Sequence, residues 1–277
     1  MSEGLEMFSV SGKVAVVTGG GGVLCGAMAA ALARAGGRVA VCDIFEDKAR
    51  AVAADIAAAG GKARAYKMDV LSLDSIREQC EAICGDFGVV DILINGAGGN
   101  VREATTSPDL PFFDLPLAAF EKVVALNLFG GAFLPCQVFG RRMVKNPDGG
   151  SIINVSSMNA LRPLTRIAGY SAAKAAVSNF TQWLAVHFAQ EYNPKLRVNA
   201  IAPGFFLTDQ NRFLLTDRDT GELTERGKAI IAHTPMGEFG RPDDLVGAVL
   251  WLASDAARFV TGVIVPIDGG FSAFSGV

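Results

Sequence analysis

The 277-residue chain is half hydrophobic and 19% charged, with a formal net charge of −3; this balance suits a chain built on a large buried sheet. With no basic tract to compete for phosphates, nucleic acid and membrane surfaces are not expected partners, and small ligands are. Met1–Val10 carries two glutamates and no apolar run, and no stretch of about 18 uninterrupted apolar residues occurs, so neither a signal peptide nor a membrane span is expected and the expected location is cytoplasmic.

Lys13–Thr18 is a β-branched run that stops at four glycines, and the alanine-rich Leu24–Ala35 reads as a helix. Arg38–Asp43 is a second buried strand ending in a carboxylate, and a helix over Glu46–Ala59 closes at Gly60-Gly61. A third strand (Ala63–Met68) ends at Asp69-Val70, a helix covers Leu73–Phe87, and a fourth strand (Asp91–Ile94) runs into Asn95-Gly-Ala-Gly-Gly99. Asn100–Pro116, with three prolines, reads as a loop over the C-terminal edge of the sheet, followed by a long helix from Leu117 to Val144 containing Asn127. Ser151–Ser156 is strand five. Tyr170 and Lys174 lie on a helix reaching Glu191, with Val177, Phe180, Leu184 and Phe188 as its buried stripe. Leu196–Ala202 is strand six, a substrate cover with one or two short helices is expected over about 205–235, a helix over Pro242–Ala253, and strand seven at Val263–Ile267. Strand and helix alternate throughout 1–277, which predicts an α/β fold of one domain: a doubly wound parallel sheet of about seven strands with helices on both faces. The five cysteines are odd in number and lack metal-type spacing, so they read as reduced core thiols and no metal is expected.

Three patterns carry chemistry. Thr18-Gly-Gly-Gly-Gly22 between a strand and a helix suits a pyrophosphate, because glycine lets backbone N–H groups approach and the helix N-terminus adds partial positive charge. Asp43, at the tip of the next strand, places a carboxylate where it can accept both adenosine ribose hydroxyls and repel a 2′-phosphate; with no Arg or Lys in the glycine turn, NAD is expected over NADP. Tyr170 and Lys174 are four residues apart, so on a helix they share one face; an ammonium beside a phenol favours the phenolate and is expected to lower the tyrosine pKa.

Together with Asp69-Val70, Asn95-Gly-Ala-Gly98, Asn127, Ser157 thirteen residues before Tyr170, and Pro203-Gly204 with Thr208, these motifs resemble the short-chain dehydrogenase/reductase family from about Val10 to Val277. The resemblance implies a Rossmann-type sheet and hydride transfer between nicotinamide and a carbonyl or alcohol carbon. It also implies roles: Tyr170 as proton donor and acceptor, Lys174 lowering the tyrosine pKa and holding the nicotinamide ribose, Ser157 bonding the substrate oxygen, and Asn127 anchoring a water that links Lys174 to solvent. Cofactor contacts are implied at Gly19, Gly21, Gly22, Val23, Leu24, Asp43, Asp69, Val70, Asn95, Ala97, Gly98, Tyr170, Lys174, Pro203, Gly204, Phe206 and Thr208. The family's Thr-Gly-x-x-x-Gly-x-Gly pattern puts glycines at 23 and 25, where this chain has Val23 and Cys25. Pairing through the helices at 117–144 and 168–191 is implied as well, in a homotetramer.

The loops expected to face the nicotinamide offer Asn100, Asn159, Arg162 and Gln210, which with Ser157 form the expected substrate set; amides suit hydroxyls and an arginine fork suits a carboxylate, so a sugar acid is expected. The phrases Ser156-Ser-Met-Asn-Ala160, Phe180–His187, Ala202–Thr208 and Asp268–Ser275 resemble the mannonate oxidoreductase subgroup, which implies interconversion of D-fructuronate and D-mannonate. The alternatives are another short-chain reductase activity, on 5-ketogluconate or 3-ketoacyl thioesters, and a non-catalytic dinucleotide sensor. His187 reads as a packed or interface residue, and His233 falls in the cover with its role open.

Overall fold

Valine- and isoleucine-rich runs of four to eight residues become strands here because both faces of the sheet are covered, so that alternation is not required. In the computed structural model, which describes residues 6–208, 212–217 and 220–276, the strands are β1 (Val14–Thr18), β2 (Arg38–Asp43), β3 (Lys62–Lys67), β4 (Ile92–Asn95), β5 (Gly150–Val155), β6 (Leu196–Pro203) and β7 (Ile264–Ile267). All neighbours are parallel, in the order β3-β2-β1-β4-β5-β6-β7. Every residue of β1, β4 and β6 is buried. The chain winds outward from β1 to β3 and then restarts on the other side of β1 at β4. The reversal opens a crevice beyond the C-terminal ends of β1 and β4, where ligands bind in open α/β sheets. The register places Thr18 beside Asn95, and Asn95 beside Asn154.

The helices are α1 (Val23–Arg34), α2 (Glu46–Ala58), α3 (Leu73–Phe87), α4 (Leu117–Val124), α5 (Leu134–Met143), α6 (Ala168–Glu191), α7 (Arg212–Leu215), α8 (Glu225–His233) and α9 (Val246–Ala253). Ser72 caps α3 by accepting from Ser75 N at 3.2 Å, and Thr224 caps α8 by accepting from Gly227 N at 3.1 Å. One face of the sheet packs on α1, α2 and α9 through Met28, Leu32, Ile56, Val249 and Leu252. The other packs on α3, α5 and α6 through Ile76, Ile83, Phe139, Met143 and Leu184.

The predicted seven strands and their interleaved helices are all present, most ends displaced by a residue or two; the helix expected from Pro242 begins at Val246 behind a 3-10 turn at Pro242–Leu245, and α7 and α8 fall in 205–235, where one or two short helices are expected. One element differs in kind. The long helix predicted over 117–144 is α-helical at both ends but π-helical across Ala125–Phe133. Leu117–Met143 is also the one helix among the described residues long and apolar enough to cross a membrane, and half of its most apolar window is buried in the fold.

Candidate active site

The glycine turn is shaped by what surrounds it. Gly19 has φ +65°, a left-handed conformation, and a Cβ there would lie 2.9 Å from Ala97. A Cβ on Gly21 would meet Lys48 Cβ at 2.7 Å and Asp43 Oδ2 at 3.0 Å. The turn is therefore pressed between the β4 loop and α2, which leaves room for backbone but not for side chains. Gly22 begins α1 without a side-chain cap, so the amides of Val23 and Leu24 open the helix at the switch point. Asp43 sits at the end of β2 with Oδ2 accepting from Gly21 N at 3.0 Å and Oδ1 from Phe45 N at 3.0 Å, which fixes the carboxylate beside the turn.

Thr18, which sequence reasoning treated only as the edge of the motif, is fully buried and joins the two loops: its Oγ1 accepts from Gly96 N at 3.1 Å and Ala97 N at 3.3 Å. Cys25, standing where the family pattern has glycine, fills the space over Gly96, where an added Cβ would collide with its Sγ. Burial pushes the Cys25 thiol up to about 12, against a smaller pull down by the Lys174 charge. The other thiols are free as well, and burial raises those of Cys42, Cys80 and Cys136, in keeping with inert core cysteines.

Asn127 owes its geometry to the π segment. Its Nδ2 donates to Val123 O at 2.8 Å and to Gly99 O at 2.6 Å, and its Oδ1 accepts from Gly99 N at 3.1 Å. One amide donor and the amide oxygen thus hold Gly99 of the strap, and the other donor ties the side chain to its own helix at Val123. A Cβ on Gly98 would lie 2.7 Å from Asn127 Oδ1 and 3.3 Å from Lys174 Nζ, so these three groups meet at one point.

α6 delivers Tyr170 and Lys174 to the same crevice. Ser157, at the mouth of β5, faces Tyr170 closely enough to favour its phenolate, and its Oγ accepts from Asn159 N at 3.2 Å. The expectation that Lys174 pulls the phenol down is not met in this structure. Burial dominates and raises the Tyr170 pKa, with Ser157 acting in the opposite direction. The reason is placement: Lys174 Nζ lies 5.6 Å from the centre of the Tyr170 ring and donates to Val155 O at 2.8 Å. Lys174 is itself buried, and that pulls its pKa from 10.5 to about 8.

The remaining sequence-predicted residues divide. Asp69 accepts from Leu71 N at 2.9 Å, and Val70 is buried against Gly130. Asn95 is fully buried and spends its Nδ2 on Asn154 Oδ1 (2.8 Å) and Cys136 Sγ (3.2 Å), with Oδ1 unpartnered, so its side chain braces β4 to β5. Phe206 is buried on Gly240, while Pro203-Gly204 lies against Asp268. On the substrate side, Asn159 Oδ1 accepts from Leu164 N at 2.9 Å and Ser171 Oγ at 3.3 Å, which makes it a brace of its loop. Asn100 Nδ2 donates to Thr105 Oγ1 at 2.8 Å. Arg162 is exposed and held by its Nε to Ser272 O at 3.1 Å, with its Nη groups unengaged among the described residues. Gln210 lies outside the described residues. His187 stacks on Trp183 at 4.7 Å between ring centres, at the surface of α6.

A family model described as enoyl-(acyl carrier protein) reductase matches residues 24–272. The uncharacterized oxidoreductase UxuB of Bacillus subtilis is 51% identical over 278 residues, covering 97% of this chain and 98% of that protein. A crystal structure of a "putative D-Mannonate oxidoreductase" from Haemophilus influenza with bound NAD superimposes with a TM-score of 0.89 at 46% identity, covering 97% and 98% of the two chains. A "putative NAD(P) dependent gluconate 5-dehydrogenase" from Beutenbergia cavernae, with bound NADP at low occupancy, matches with a TM-score of 0.84 at 33% identity, covering 97% and 100%. A glycine turn at a switch point, a serine, tyrosine and lysine converging on it, and these matches along nearly the whole length carry one conclusion: the chain is an oxidoreductase of the short-chain dehydrogenase/reductase family.

Proposed function

We propose that this protein is an NAD-dependent oxidoreductase that interconverts D-fructuronate and D-mannonate. The observation that carries the cofactor choice is Asp43, whose carboxylate is fixed at the tip of β2 beside the glycine turn. A negative charge there accepts ribose hydroxyls and repels a 2′-phosphate. The crevice fits a dinucleotide: the turn excludes side chains, and the uncapped start of α1 faces it. Gly19, Gly21, Gly22, Val23 and Leu24 would hold the pyrophosphate, Asp43 the adenosine ribose, and Tyr170 and Lys174 the nicotinamide ribose. Asp69 and Val70, and the backbones of Asn95, Ala97 and Gly98, would line the adenine and nicotinamide side, with Pro203, Gly204, Phe206 and Thr208 closing the far end.

Bound nicotinamide supplies the hydride in reduction and accepts it in oxidation. The chain's own residues handle the oxygen. Ser157 Oγ–H donates a hydrogen bond to the substrate carbonyl and polarises it. As the carbon–oxygen π bond opens, Tyr170 Oη–H gives its proton to that oxygen, leaving a phenolate that recovers a proton from solvent. Burial keeps the phenol in its protonated form at neutral pH, which suits the reductive direction. Lys174, drawn to about 8, holds its proton at neutral pH and offers a positive charge beside the phenolate as it forms.

The sugar-acid reading rests on Arg162 and on the resemblance to the Haemophilus protein. With Nε anchored on Ser272 O, the outer edge of the guanidinium is pre-ordered for a carboxylate. Steady-state assays decide it: D-fructuronate is reduced with a kcat/KM well above those for 5-ketogluconate and acetoacetyl thioesters. Activity confined to uncharged ketones or acyl thioesters sinks it. A homotetramer is part of the same reading, supported by a run of touching rings from Phe133 at the end of the π segment, through Phe180, Trp183 and His187 on α6, to Tyr192 just beyond it, with Trp183 and Tyr192 more than half exposed.

A further inference from the structure

His233 ends α8, and its ring lies between Phe271 (4.6 Å between centres) and Phe274 (5.0 Å). Both phenylalanines belong to a turn at the C-terminal end of the chain, which is closed on itself by Asp268. Oδ1 accepts from Gly270 N at 3.0 Å, Oδ2 from Ser272 N at 2.9 Å, and the Asp268 carbonyl from Phe271 N at 3.1 Å. Gly269 and Gly270 have φ of +62° and +88°, a left-handed pair that lets the chain double back.

This turn reaches in two directions. Toward the cover, Gly269 O accepts from Met236 N at 3.1 Å, and Phe271 is buried with Ile230 of α8 and Leu215 of α7. Toward the catalytic loop, Ser272 O accepts from Arg162 Nε at 3.1 Å, and Phe271 is buried with Met158, the residue that follows Ser157. Met158, Leu215, Ile230 and Phe271 form a small apolar cluster separate from the two large cores of the sheet. Leu164, Phe205, Leu207 and Phe239 pack around these four, and Phe271 is the member that the turn contributes to the cluster holding residues of both the Ser157 loop and the cover.

We propose that the turn Asp268–Phe274 is a clamp that couples the Ser157 loop to the cover, with Phe271 and His233 as positioning residues for the reaction. The inference rests on the reading of Ser157 as a group that touches substrate. A cluster this small opens locally at far lower cost than the sheet, so the fit of the substrate side depends on it while the cofactor side does not. His233 holds α8 against the turn, and Phe271 carries that restraint to Met158 and so to the backbone beside Ser157.

The test is amide hydrogen exchange on the full-length protein, with and without NADH, for wild type, Phe271→Ala, Phe271→Leu and His233→Ala. Phe271→Ala is expected to speed exchange by about tenfold or more in both 158–164 and 225–233, leaving 23–34 unchanged and NADH affinity within about twofold. Phe271→Leu restores most of the protection. His233→Ala reproduces the effect more weakly, and carries the test should Phe271→Ala fail to fold. In parallel, the alanine variants raise KM for the best ketone substrate more than they lower kcat. Exchange that rises only in 268–276, or in the cover without the Ser157 loop, overturns the clamp. Because exchange needs no substrate, an enzyme that ignores D-fructuronate defeats the substrate reading and leaves the clamp to be judged on its own result.

Discussion

The two sides of the crevice are built on different principles. On the cofactor side, Gly19, Gly21 and Asp43 are held by strand ends, and the clearances are those of backbone against backbone. On the side proposed to face the substrate, Arg162, Asn159 and the 205–235 segment are held by loops, by a small apolar cluster and by the turn Asp268–Phe274. The first arrangement tolerates almost no change of residue and recurs wherever a dinucleotide binds an open sheet. The second can be re-cut without disturbing the sheet, which is how one fold serves many substrates.

Four predictions test how sharply the two sides are divided. The largest effect belongs to the residue on which both sides act. Tyr170→Phe should lower turnover by about 10²–10⁴, the usual worth of a positioned acid or base, with NADH affinity within a few-fold; near-normal turnover removes the tyrosine from the mechanism. For the wild type, burial holds the phenol above its ordinary value, so oxidation should gain rate as pH rises toward the alkaline range while reduction does not.

Next comes Lys174, buried with a pKa drawn from 10.5 to about 8. Its folded-state value lies below the unfolded one, so the cost to stability is fully present below about 8 and is relieved as pH rises toward 10.5. That displacement corresponds to about 3 kcal/mol, against about 1 kcal/mol for the lost bond to Val155. Lys174→Met should therefore be inactive yet more stable than wild type by about 2 kcal/mol in the cofactor-free form at pH 7. The gain should vanish near pH 10; melting curves that show equal or lower stability at pH 7 contradict it.

Asp43→Ala should narrow the preference for NADH over NADPH by roughly 10–100-fold in kcat/KM, the scale of one or two hydrogen bonds to a charged group. Wild-type enzyme that uses both cofactors equally well refutes the assignment. The smallest effect is expected on the other side: Arg162→Ala should raise KM for D-fructuronate by about tenfold, as for one partly exposed charged contact, with little change for a neutral ketose. A parallel loss on both substrates would mean that Arg162 serves only its bond to Ser272.

Legibility in the sequence follows the same division. Strands were readable because unbroken runs such as Val14–Val17 and Ile92–Ile94 have few alternatives in a doubly covered sheet. Tyr170 and Lys174 were readable as a pair because a spacing of four sets them on one helix face, while Ser157 was singled out by the resemblance to the family's ordered motifs. What escaped were consequences of packing. Asn95 and Asn159 look like ligand-binding amides in the sequence, and only their partners, Asn154 and Cys136 in one case and Leu164 and Ser171 in the other, show them to be braces. The direction of the Tyr170 pKa depended on where Nζ lies relative to the ring and on how deeply both are buried, neither of which follows from a spacing of four. The grouping of Met158 and Phe271 in one apolar cluster spans over a hundred residues of chain, and no local pattern announces it.

The π segment at Ala125–Phe133 bears on how this chain can change length. Each residue of an α-helix advances the face by about 100°, whereas a wide π turn absorbs an extra residue without that advance, so a one-residue change of length made with the turns kept as they are would rotate everything beyond it. Phe139 and Met143, fully buried under the sheet, would then swing toward solvent. The over-wide turn is thus a phase adjuster: it lets one continuous helix present Asn127 to the crevice at one end and a core-facing stripe at the other, and it is the place in this helix where a lost residue would be absorbed by a return to α turns.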